Sequence, residues 1–167
     1  MKKFTSKHQK IGLLGEKSAE MFLVKHGFKI IDRNFSTRFG EIDLIAIKEN
    51  VYHFVEVKTV TVSYETNISK GIDTAINDSR ETLFSKKTSS EKTVSRETFI
   101  LEYCKPNNPF QNISFQKIKR LAKTAELFLI KNNINNVTRW QIDAVGVFLD
   151  LEYKKATFQY IENIAIR

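Results

Sequence analysis

Three charged residues interrupt two apolar runs in the stretch GEIDLIAIKENVYHFVEVKT, residues 40–59. They are Asp43 in the first run and Glu56 and Lys58 in the second. Side chains alternate along a strand, so Phe54, Glu56 and Lys58 share one face while Val55 and Val57 take the other. His53 falls on the Val55 face, away from any site built on Glu56. In the first run Glu41, Asp43 and Ile45 share a face, opposite Ile42, Leu44 and Ala46. A hairpin that pairs the runs would let Asp43 and Glu56 converge from neighbouring strands. Two carboxylates on a stiff support suit Mg²⁺ or Mn²⁺, which also keep waters and phosphate oxygens as ligands. Lys58 would then lie beside the attacking water and the scissile phosphate, where an ammonium stabilises developing negative charge. Glu41 could bind there too, but capping the turn after Gly40 is its simpler reading.

A plainer account has to be weighed. With 27 Lys and Arg against 19 Asp and Glu, a Glu-x-Lys triplet is common by chance. Glu56 and Lys58 could pair along a half-exposed edge strand, with Asp43 at a turn or on the surface. Against this, Ile42, Leu44, Ile45, Val55 and Val57 place apolar groups on both faces, which suits an interior strand. Unpaired charge there is expensive. The pattern favours a site.

The elements that must position these residues follow from periodicity. Residues 11–26 predict a helix, with Ile11, Leu14, Gly15, Ser18, Ala19, Phe22 and Leu23 on one face and Gly27 as its C-terminal cap. Three extended runs follow, FKIIDRNF, GEIDLIAIK and VYHFVEVKTV, the last two separated by a hairpin-like break at Glu49-Asn50. From residue 113 a second helical stripe runs through Ile118, Leu121, Ala122, Ala125, Phe128 and Leu129. Lys119, Arg120 and Lys123 lie on its opposite, cationic side, and Lys117 at the edge of the stripe. RWQIDAVGVFLD and ATFQYIENIAI then read as two more strands, joined by a polar turn. The order is α-β-β-β-α-β-β, an α/β chain with helices and strands interleaved around one sheet. Residues 1–167 read as a single domain with an insertion at about 60–112. There a weak helical pattern and a short TFILEY run are the only ordered signals, and Pro106–Pro109 should be loop.

These motifs together resemble the YraN-like family, described as Holliday-junction-resolvase-like, within the PD-(D/E)XK nuclease superfamily. The chain supplies GLLGEKSAEMFLVKHGFKIIDRNF, then GEIDLIA and FVEVKT, then ISFQKIKRLAKTAELFL and WQIDAVGV. They cover residues 11–59 and 113–166, nearly everything except the insertion. The resemblance implies a restriction-endonuclease-like core, a mixed central sheet flanked by helices. It implies Asp43 and Glu56 as metal ligands, Lys58 as the catalytic lysine, and Glu16 as a helix carboxylate that completes the metal site. Lys117 matches the family's helix lysine and could contact phosphate, with Lys119 and Arg120 beside it as nucleic-acid contacts. Asp143 on an inner strand would orient a neighbour by hydrogen bonding. The insertion after Lys58 is larger than the family pattern needs.

Whole-chain composition agrees with an anionic partner. The 167 residues are 41% hydrophobic, enough for one core, and carry a formal charge of +8. One cysteine, Cys104, excludes an intrachain disulfide and a thiolate zinc site. His8, His26 and His53 read as surface or turn residues rather than ligands. Lysines without an apolar core at the N-terminus, and no run approaching a membrane span, predict a cytoplasmic setting. The expected function is metal-dependent hydrolysis of DNA phosphodiester bonds on branched or structured DNA, with Mg²⁺ or Mn²⁺. The alternative is a non-catalytic nucleic-acid-binding protein that keeps the nuclease fold. A homodimer is expected by analogy with junction resolvases, which need two active sites.

Overall fold

A computed structural model of the chain describes residues 6–62, 108–135 and 137–164. Helix α1 spans Lys7–Lys25. It starts four residues before the periodic stripe does, because Ser6 and Gln9 form a reciprocal capping box: each side chain meets the other's backbone N–H at 3.2 Å. Its end is equally local. Gly27, at φ 85°, lets its own N–H reach the Val24 carbonyl and the Phe28 N–H reach the Leu23 carbonyl. That is a Schellman closure, which favours glycine at this position.

Strands β1 (Lys29–Thr37), β2 (Gly40–Lys48) and β3 (Val51–Val62) form an antiparallel meander. Glu49 and Asn50 both have positive φ, the geometry of a two-residue hairpin turn that matches strand twist. Helix α2 (Phe115–Lys131) is capped by Ser114, whose Oγ accepts the Lys117 N–H at 3.2 Å. Strand β4 (Trp140–Asp150) then lies parallel to β3, and β5 (Lys155–Ile161) returns antiparallel to β4. The sheet order is β1-β2-β3-β4-β5, one mixed sheet flanked by helices in the sequence order α-β-β-β-α-β-β. This is the α/β arrangement expected from the sequence.

Two apolar layers clamp the sheet. On one face Ala19 and Leu23 of α1 meet Leu44, Ala46, Val55, Val57, Val145 and Val147. On the other, Leu121, Ala125 and Phe128 of α2 meet Ile42, Ile45, Phe54, Ile142 and Ala144. Burial on both faces explains why β3 and β4 read as near-continuous apolar runs. Phe128 anchors its layer by edge-on contacts to Phe35 and Phe54, with ring centroids 5.1 and 5.8 Å apart.

Several expectations are revised. Leu14 is 46% exposed, because the buried side of α1 narrows to Gly15, Ala19 and Leu23 where the helix meets the sheet. Strand β3 continues through Val62, paired with Asp150, so the first residues assigned to the insertion belong to the sheet. At the other end of that stretch, buried Pro109 and the neighbouring Phe110 pack where a Cβ on Gly146 would stand, 2.7 and 2.8 Å from their ring atoms. Residues 63–107, which hold the helical pattern, the TFILEY run and Pro106, lie outside the described residues. His53, expected at a turn or on the surface, is 7% exposed inside β3.

Candidate functional site

The site begins where strand regularity breaks. Beyond Leu44 and Val55 the β2–β3 ladder stops, so Asp43 has no cross-strand partner on that side. On the β1 side the register passes from Arg33↔Leu44 to Phe35↔Ile42 and skips Asn34, which adopts φ 51° within the strand. Ile42 and Ile45 both pack in the α2 layer while Leu44 and Ala46 pack under α1. The alternation expected around Asp43 therefore fails at this point. Asp43 sits at a kink, released from both ladders, and its Oδ2 accepts the Val57 N–H at 2.7 Å. A side chain thus takes over a backbone bond the ladder no longer makes.

Glu56 is 1% exposed and lies on the α2 face, as the strand period predicts from Phe54. Its carboxylate is held by two ammoniums. Lys58 Nζ donates to Oε1 at 2.6 Å, and Lys117 Nζ stands 3.0 Å from Oε2. The Lys117 contact is an ion pair without hydrogen-bond alignment, and Oε2 accepts no hydrogen bond. Lys58 pairs across the parallel ladder with Gly146, whose missing side chain makes the room taken by Pro109 and Phe110.

The electrostatics tie these groups together. Burial, reinforced by the Glu56 charge, pushes the Asp43 carboxyl up to about 7, with smaller opposing effects from the Val57 N–H and Lys117. Glu16 also acts on Asp43 from α1. Its own carboxyl is raised by burial and by Glu41, against a hydrogen bond from Asn34. Helix α1 comes this close because Gly15 packs on Thr59, next in chain to Lys58: a Cβ on Gly15 would stand 1.8 Å from Thr59 Oγ1. Asp43, Glu56, Lys58 and Lys117 are thus brought together, with Glu16 in electrostatic range. Lys119 and Arg120 are not part of this group. They lie exposed on α2, Lys119 Nζ 4.5 Å from the Phe115 ring centre and Arg120 Nε directed at the Gln116 carbonyl.

Can these residues hold a divalent ion? Among the described residues no group of three or more His, Cys, Asp or Glu is assembled for a metal. Magnesium needs fewer protein ligands, being commonly held by one or two carboxylates with waters and substrate oxygens. A carboxyl raised to about 7 by burial and by its carboxylate neighbour, and a buried oxygen that accepts no hydrogen bond, are what added positive charge would relieve. On that chemistry the donor set suits Mg²⁺ or Mn²⁺, which Asp43 and Glu56 would hold.

A second polar cluster lies on the α1 face, where sequence reasoning expected Asp143 to orient a neighbour but did not identify its partners. Asp143 is fully buried and accepts from His53 Nδ1 at 2.6 Å, Tyr160 Oη at 2.7 Å, Gln141 Nε2 at 2.8 Å and the Asn163 N–H at 2.8 Å. The orienting role expected of Asp143 is visible here, since it fixes His53. The sequence signals were the place of Asp143 on an inner strand and the shared face of His53 and Val55, which kept His53 out of the Glu56 site. Asn34 was also missed as a contributor, its positive φ being invisible in the extended run that contains it.

The fold and this acid–lysine cluster define an α/β protein with a mixed sheet and a charged site at a strand kink. Residues 15–84 match the model of the uncharacterised protein family UPF0102. A UPF0102 protein of Sulfurimonas denitrificans is 52% identical over 124 residues, 74% of this chain and 74% of that protein. UPF0102 proteins of Campylobacter hominis and Campylobacter fetus are 50% and 53% identical over 60 and 55 residues, 36% and 33% of this chain. Those matches span about half the length of the Campylobacter proteins, 54% and 49%. The chain belongs to family UPF0102, the YraN family.

Proposed function

We propose that the chain is a metal-dependent nuclease that hydrolyses DNA phosphodiester bonds, acting on branched or otherwise structured DNA. The observation that carries this reading is the buried Glu56 carboxylate between two lysines, beside an Asp43 whose carboxyl is raised to about 7. A fold needs no such cluster, and replacing it with apolar residues would often be neutral or stabilising. Hydrolysis of a phosphodiester uses all of it.

Asp43 and Glu56 would hold Mg²⁺ or Mn²⁺, which when bound polarises phosphoryl oxygens and activates the attacking water. Lys58 stands one hydrogen bond from Glu56 Oε1, positioned for its ammonium to stabilise the charge that grows on the phosphate oxygens. Lys119 and Arg120, exposed on α2, supply phosphate contacts outside the centre, and the +8 charge of the chain favours such a partner. A homodimer would present the two centres that cutting a four-way junction requires. The test is incubation of the purified protein with linear, nicked and four-way DNA in Mg²⁺, in Mn²⁺ and in EDTA. Cleavage in either metal and none in EDTA is expected. Binding without cleavage of any substrate would replace this reading with that of a non-catalytic nucleic-acid-binding protein.

A further inference from the structure

We infer that Lys117 is a charge latch on Glu56, which must let go for a divalent ion to bind, so that metal and nucleic acid bind cooperatively. This rests on the metal-dependent reading above. Lys58 is fixed to Glu56 by a hydrogen bond within one strand. Lys117 differs. It reaches Glu56 Oε2 from α2, in a separate element, at 3.0 Å and without hydrogen-bond alignment. Its side chain keeps 31% of its exposure, as does that of Lys58, while that of Glu56 keeps 2%. It is therefore the one of the two ammoniums that can leave without breaking a hydrogen bond to Glu56.

Charge counting shows why it would leave. Ionised Asp43 and Glu56 are balanced by Lys58 and Lys117, so a divalent ion added to the intact group leaves two uncompensated positive charges in a poorly hydrated place. Oε2, the oxygen that lacks a hydrogen bond, is the natural ligand atom, and Lys117 is the group in front of it. A phosphodiester supplies what is missing: an anionic oxygen for the ion and an acceptor for the displaced ammonium. Each ligand then favours the other, and the effect must be reciprocal.

The experiment measures Mn²⁺ affinity by calorimetry for the wild type, Lys117→Gln, Lys117→Arg and, as a charge-matched control on the same helix, Lys131→Gln. The amide of Lys117→Gln can still donate to Glu56, which protects folding. Lys117→Gln is expected to bind Mn²⁺ at least about fivefold more tightly than wild type, at the low end of typical couplings. Lys117→Arg and Lys131→Gln should match wild type. A short DNA duplex should tighten Mn²⁺ binding to the wild type by a similar factor, and have less effect on Lys117→Gln. Equal Mn²⁺ affinity of wild type and Lys117→Gln, or an equal gain from Lys131→Gln, would overturn the latch and leave the metal site standing. Absence of Mn²⁺ binding by every protein, with or without duplex, would overturn the latch together with the metal-dependent reading. Should Lys117→Gln fail to melt cooperatively in EDTA, the wild type decides alone: Mn²⁺ affinity indifferent to duplex overturns the latch.

Discussion

At the scale of single residues, Asp43 and Asp143 are opposite cases of a carboxylate inside a fold. Asp43 is raised to about 7 by burial and by Glu56, so its folded value lies above its unfolded one. Its contribution to stability is therefore full at low pH and is lost as pH rises through about 7. Asp43→Asn, which can still accept the Val57 N–H, should thus stabilise the metal-free protein at pH 8, on the order of 1–2 kcal/mol once solvent screening is allowed for. The gain should fade toward pH 4. Thermal melts in EDTA across that range check it, and an Asn variant less stable than wild type at pH 8 would contradict the account of Asp43. For Asp143, burial alone would raise the carboxyl, but bonds from His53, Asn163, Tyr160 and Gln141 together hold it below the ordinary value. Its contribution is present at neutral pH and lost as pH falls through that depressed value. Asp143→Asn must turn an amide N–H toward two of the four donors, since each carboxylate oxygen accepts two of them, and should cost about 3–5 kcal/mol at pH 7, read as a lower denaturation midpoint. A variant within 1 kcal/mol of wild type, on the scale of about 1 kcal/mol for an ordinary hydrogen bond, would show that the cluster is not structural.

At the scale of elements, the site depends on how closely α1 sits on β3. Gly15→Ala would drive a methyl into Thr59, where a Cβ meets Oγ1 at 1.8 Å and two carbons at 2.8 Å. Overpacking of this kind costs about 1–3 kcal/mol, and here it should also move Glu16 away from Asp43. Urea unfolding checks the first effect, and an unchanged midpoint would contradict the close approach. Gly15 also illustrates what was legible in the sequence. Helical period placed it on the buried stripe, strand period placed Glu56 and Lys58 on one face, and the Glu49-Asn50 break marked the hairpin. These are local signals, and local geometry decides them. The kink at Asp43 was not legible, because Asn34 in αL conformation and the end of the β2–β3 ladder depend on three strands and a helix at once. The same holds for Lys117. Its period put it at the edge of a stripe, but only the packing of α2 across β3 turns it toward Glu56. The His53–Asp143–Tyr160 cluster joins three strands, with sequence separations of 90 and 17 residues, beyond the reach of any periodic pattern.

At the scale of the whole molecule, the +8 charge and the buried site would make separate demands on the nucleic acid proposed as substrate. Surface cations would set affinity and its salt dependence, each phosphate contact changing the salt slope by about 0.9. The buried group would set rate. No helix among the described residues is long and apolar enough to cross a membrane. The separation of affinity from rate is most directly tested at Lys58, by measuring DNA binding and DNA cleavage side by side in Mn²⁺ for wild type and Lys58→Ala. Losing a donor that acts in the transition state typically costs about 10²–10³ in rate, whereas losing one cation of many removes at most one phosphate contact. The account predicts that Lys58→Ala binds DNA nearly as well as wild type and cuts it at least about a hundredfold more slowly. Cleavage by Lys58→Ala at the wild-type rate, or no cleavage by the wild type with either metal, would contradict it.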